Sequence, residues 1–155
     1  MRYLFILVFI YTSILAQELK IKANTFKADE KLGISVFSGN VNIIKKNDEL
    51  NASEVVIHVD KQNQPTKFIA SGDVSFVIQT KHNAIYRGTA GQVIFIPKTK
   101  EYRFFNNVHL QQVNEKKEIL GDEVILNTTD GKAYAKGLSK DPVIMIFDIK
   151  DDKEL

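Results

Sequence analysis

The sequence predicts an all-β fold of antiparallel strands, built from about four repeats and preceded by a short apolar leader. Two observations carry this. The stretch Ser38-Gly39-Asn40-Val41-Asn42-Ile43 returns as Ser71-Gly72-Asp73-Val74-Ser75-Phe76, and again in altered form as Phe105-Asn106-Asn107-Val108-His109-Leu110. The three valines stand 33 and 34 residues apart. A period of this size marks a unit too small to bury its own apolar face, so neighbouring units must stack. Around each copy the apolar side chains alternate with period two, which is the spacing of a strand. No segment after the leader keeps a helical period; 27–32 has only mild helical character.

The leader comes first. Arg2 gives a positive start, and Tyr3 to Leu15 is apolar apart from Thr12 and Ser13. Ala16 is a small residue before a cut, and Gln17-Glu18 turns polar. This reads as a secretory signal peptide over 1–16. The apolar run falls short of the about 20 residues of a membrane span. An uncleaved anchor is the alternative, because Ile14 is not the small residue preferred three positions before a cut. Four units follow, at 19–49, 50–83, 84–118 and 119 onward. The later ones open with extended segments: Asn51 to Ile57, Arg87 to Val93, and Gly121 to Leu126. The signature follows in the second half of each unit. In the fourth only Gly137 remains, as suits an atypical capping repeat. Polar segments of hairpin size separate the strands, with Asp130-Gly131 a strong two-residue turn signal. Turns this short favour antiparallel neighbours. The domain is expected over 17–147, with a charged, frayed tail over 148–155.

Stepping by two from each signature valine gives Val41 and Ile43; Val74, Phe76 and Ile78; Val108 and Leu110. The other strand of each unit gives Val55, Ile57 and Val59; Val93 and Phe95; Val124 and Leu126. All are apolar. The opposite face, with Asn42, His58, Ser75, Gln79, His109 and Gln111 among its members, is mixed. A slip of one residue would exchange the two faces, so the register is well specified. The uniform face must meet a common apolar interior. Two interiors fit the pattern: a close-packed core, or a groove that takes an apolar ligand. Gly39 and Gly72 precede Asn40 and Asp73 in a pattern suited to a bulge at positive φ, and Asn106 takes that place in the third copy.

Composition narrows the function. The 155 residues contain no cysteine, so an exported chain of this kind folds without disulfides or thiolate metal sites. The net charge is +2 with acidic and basic residues interspersed, which argues against nucleic acid as a partner. His58, His82 and His109 are far apart in sequence, and Asp122-Glu123 and Asp151-Asp152 have no partner motif. No nucleophile elbow, paired-histidine motif or phosphate loop is present. The reading is a non-enzymatic chain without cofactor or metal. Glu49-Leu50-Asn51-Ala52-Ser53 fits an extended acidic glycosylation sequon used by some bacteria.

Lys22-Ala23-Asn24, Phe37 to Val41, Leu50 to Val55, Leu110 to Val113 and Leu120 to Val124, in this order after a signal peptide, resemble the LptA (OstA-like) family of periplasmic lipopolysaccharide transport proteins. The likeness spans about 19–145. It implies a twisted antiparallel β-jellyroll, open at both ends, with an apolar groove for lipid A acyl chains. It also implies a bridge that carries lipopolysaccharide from the inner to the outer membrane. The partners would be an LptC-like inner-membrane protein, an LptD-like outer-membrane translocon, and further copies joined head to tail through edge strands. The groove residues it points to are Leu19, Ile21, Val41, Ile43, Ile57, Val74, Phe76, Val93, Phe95, Leu110 and Leu126. Leu19 and Ile21 would line its mouth. Asn106 in place of glycine and Pro97 in place of a larger apolar residue are departures in the third unit. An LptC-like anchored subunit and a scaffold with a packed core are the alternatives.

Overall fold

The computed structural model describes residues 17–149. The expected signal peptide at 1–16 and the end of the charged tail lie outside the described residues. Ten strands follow in order: β1 Leu19–Lys22, β2 Thr25–Asp29, β3 Ile34–Lys45, β4 Asp48–Val59, β5 Pro65–Gln79, β6 Ile85–Ile96, β7 Glu101–Gln112, β8 Lys117–Asn127, β9 Ala133–Lys136 and β10 Ile144–Phe147. Of the 27–32 segment with mild helical character, Lys27 to Asp29 lie inside β2 and the rest in the turn before β3. Tertiary pairing with Ile34 to Val36 overrides a weak local preference there.

All pairs are antiparallel, and β3 to β8 form consecutive hairpins. Halfway along each pair the register slips. Ser38 pairs with Glu54 but Val41 with Ala52, so β3 takes three steps where β4 takes two. The same happens between β5 and β6 at Ser71 to Val74, and between β7 and β8 at Phe105 to Val108. The extra residue falls on the repeated signature. Gly39 and Asn40 have φ of +83° and +46°, Gly72 and Asp73 +83° and +45°, Asn106 and Asn107 +66° and +54°. Gly, Asn and Asp tolerate this left-handed backbone best, which is why the repeat holds them there. A bulge bends its strand and increases the twist. Lined up across β3, β5 and β7, the three bulges form a crease.

The third bulge keeps its shape without glycine because its neighbour on β6 supplies the missing space. A Cβ on Gly91 would come 2.9 Å from the Cβ of Asn106, whereas at the second bulge the glycine is Gly72 and the facing residue is Ser53. Small and larger residues have exchanged strands. The outermost strands break at the crease: β1 and β2 pair with the two halves of β3, and β10 and β9 with the two halves of β8.

The bent sheet folds over itself. One half-sheet holds β2, β9 and the halves of β3 to β8 on one side of the crease, and the other holds β1, β10 and the remaining halves. Their inner faces meet in one cluster that includes Val41, Val55, Val74, Phe76, Val93, Phe104, Leu110 and Leu126, all buried. Phe76 packs against Phe104 across the interior, ring centroids 4.5 Å apart. Along β4 and β6 the buried face changes parity at the crease, from Ala52 to Val55 and from Ala90 to Val93. Away from the crease the strand ends meet in a seam. The Lys81 N–H donates to the Thr128 carbonyl at 2.9 Å, closing the β5–β6 turn onto the segment after β8.

Candidate functional site

The seam is closed at Lys81 and Thr128 but open nearer the N-terminal edge. A cavity of about 380 Å³ lies there, lined by Leu19, Ile43, Leu50, Phe68, Phe95 and Tyr102 among others. This is within the range of about 300–1,000 Å³ of ordinary ligand sites. β1, the end of β3 and the start of β4 form one wall, and the starts of β5 and β7 and the end of β6 form the other. The aromatic side chains make a continuous surface. Phe95 stacks on Tyr102 at 4.4 Å and meets Phe68 at 6.0 Å between ring centroids.

Leu19, Ile43 and Phe95 of the sequence-derived groove residues line this cavity. Ile21 packs against the core nearby. Val41, Ile57, Val74, Phe76, Val93, Leu110 and Leu126 lie deeper in the closed interior, all buried. All of them share the inward face, and the cavity opens where that face loses its opposing half-sheet. Leu50, Phe68 and Tyr102 did not emerge from stepping forward along the signature strands. Phe68 and Tyr102 each lie six residues before a signature valine, and Phe37 and Phe104 lie four before. Stepping backward across the bulge finds them. Leu50 escapes that rule because its strand changes parity at the crease. Pro97, expected to line the groove less well, forms part of the mouth.

The rim is polar. Asp48, at the start of β4, accepts the Gln79 N–H at 2.8 Å and the Tyr102 hydroxyl at 3.4 Å. This clasp joins the two half-sheets. Burial pushes the Asp48 carboxyl up, against the opposing pull of the Gln79 hydrogen bond and of Lys45. Burial also pushes the Tyr102 hydroxyl up, with the Asp48 charge adding to it, so Tyr102 remains a neutral donor. Lys45 reaches over the Phe95 ring, its Nζ 5.7 Å from the centroid. Burial, and then repulsion from Lys100, lower the Lys45 ammonium.

The outward face is different in kind. Asn51, Ser75, Thr89, Arg87, His109 and Gln111 surround a shallow depression there. His109 Nε2 lies 2.9 Å from Glu118 Oε2. Asn51 of the sequon is paired in mid-sheet with Asn42 and Ser75, and its Oδ1 accepts the Asn42 amide at 2.8 Å. Presenting it to a glycosylating enzyme would require unpairing β4.

The fold is similar to that of a solved structure, LptH, described as the LptA homologous periplasmic component of the lipopolysaccharide transport device of Pseudomonas aeruginosa. The TM-score is 0.75 at 13% identity, over 86% of this chain and 96% of that one. No curated protein matches the chain in a direct sequence comparison. A family model does, over residues 20–132, which takes in β2 to β8 and most of β1. The chain belongs to the family described as LptA/(LptD N-terminal domain) LPS transport protein.

Proposed function

We propose that this chain is a periplasmic carrier that shelters the acyl chains of lipopolysaccharide in the apolar interior of the folded sheet and bridges the inner and outer membranes. The observation that supports it best is the open section of seam, where Leu19, Ile43, Leu50, Phe68 and Phe95 surround unfilled space. An acyl chain entering there gains roughly 0.8 kcal/mol per buried methylene. No bond is made or broken; the work is transfer of an amphiphile through water. Occupation of the deeper positions, from Phe76 to Leu126, would require the half-sheets to separate.

The edges suit assembly. β1 and β2 at one end and β9 and β10 at the other each pair on one side only. Phe26 is 58% exposed on one edge, and Ile144, Met145, Ile146 and Phe147 are each at least 50% exposed on the other. Unpaired edges are an aggregation hazard unless a partner strand adds to them. The proposed partners are an LptC-like protein, an LptD-like translocon and further copies of the chain. Export by a cleaved signal peptide completes the reading.

The test is photocrosslinking to lipopolysaccharide from a probe at Phe95, with a control probe at outward-facing His109. Adducts at Phe95 and none at His109 are expected. Absence of adducts at Phe95, in folded protein supplied with lipopolysaccharide by a working donor, would overturn the proposal.

A further inference from the structure

We propose that Lys45 and Lys100 form the headgroup subsite of the cavity and take the phosphate of an amphiphile whose acyl chain lies among Ile43, Leu50, Phe68 and Phe95. This rests on the reading of the cavity as an acyl-chain site. Lys45 ends β3 and lines the cavity, its ammonium held over the Phe95 ring. Long basic side chains commonly place an apolar stem and a charged head in this way. Lys100 sits in the turn between β6 and β7, where its N–H donates to the carbonyl of the cavity-lining Pro97 at 3.3 Å. Its charge is near enough to repel that of Lys45.

The carboxylates nearby are already engaged. Asp48 accepts from Gln79 and Tyr102, and Glu49 accepts the Asn42 amide at 2.8 Å on the outward face. Neither Lys45 nor Lys100 is in an ion pair among the described residues. Asp48, also close, pulls the Lys45 ammonium back up in part, and Lys46, in the β3–β4 turn, adds a third positive charge that lowers it further. Two mutually repelling ammonium groups at the lip of a low-dielectric cavity are best relieved by one anion of more than single charge. A phosphate monoester fits that charge, and an attached chain fits the wall beneath it.

The experiment measures displacement of the neutral dye N-phenyl-1-naphthylamine from the full-length mature protein by dodecyl phosphate, by dodecyl maltoside and by inorganic phosphate. The variants are Lys45→Met with Lys100→Met, and the remote Lys132→Met as control. Native protein is expected to bind dodecyl phosphate about tenfold or more tighter than the maltoside, as charge-assisted contacts allow. The double variant should lose that preference and keep its maltoside affinity, and Lys132→Met should change neither. A double variant that keeps the preference overturns the proposal while leaving the acyl-chain site standing. Failure of both detergents to displace the dye from native protein overturns the acyl-chain site itself. Inorganic phosphate at millimolar concentration that abolishes the preference for dodecyl phosphate would show a site for free phosphate, and that also overturns the headgroup assignment.

Discussion

Replacing Gly72 by alanine tests the physical basis of the repeat. The backbone there has φ of +83°, and a Cβ would lie 2.7 Å from the Ser53 Cβ and 2.6 Å from its Oγ. The left-handed conformation costs an L-residue about 1–2 kcal/mol, and forcing an extra methyl into filled space costs about 1–3 kcal/mol. Gly72→Ala should therefore destabilise by about 2–5 kcal/mol, a large share of the roughly 5–15 kcal/mol that holds an ordinary domain together. The two contributions can be separated. Ser53→Gly removes the clash but not the strain. It also removes the Ser53 hydroxyl bond to the Gly72 carbonyl, 3.2 Å long, so by itself it costs about 1 kcal/mol. If the clash is real, the double variant is more stable than the sum of the two losses predicts, by about 1–3 kcal/mol. Urea unfolding followed by circular dichroism, on all four proteins, measures this coupling. A coupling within about 0.5 kcal/mol of zero, or a Gly72→Ala loss below about 0.5 kcal/mol, would refute the account of the bulge.

Two further outcomes are expected. Burial raises the Asp48 pKa in the folded chain, so the stabilising effect of its proton is full below the unfolded-state pKa and is lost as pH rises through the folded value. Asp48→Asn should then be more stable than native protein at neutral pH, the gain shrinking toward zero in acid; a gain that grows in acid would contradict this. On the exposed edge, Ile144→Lys with Ile146→Lys should leave the circular dichroism unchanged. In sedimentation velocity the native chain should show concentration-dependent association and the variant none; association that persists in the variant would remove β10 from the proposed assembly surface.

The antiparallel order of the strands and most of the inward face were legible in the sequence. These follow from side-chain alternation and turn chemistry, both of which act between near neighbours along the chain. Val41, Val74 and Val108 announce the crease because only a few residue types accept the backbone of the bulge beside them. Even the departure at Asn106 was visible, although the compensating Gly91 was not, since that pairing crosses between strands. Which inward residues are packed and which face open space was set by the way the bent sheet closes on itself. Phe76 and Phe95 carry the same pattern in the sequence. Phe76 is covered by Phe104 of the opposing half-sheet, and Phe95 stands at the open section of the seam. That difference depends on where the two halves of the bent sheet cross, which is set by contacts among residues distant in sequence. The same long-range fold sets Lys45 of β3 within reach of the Lys100 charge in the β6–β7 turn, and no local pattern records it.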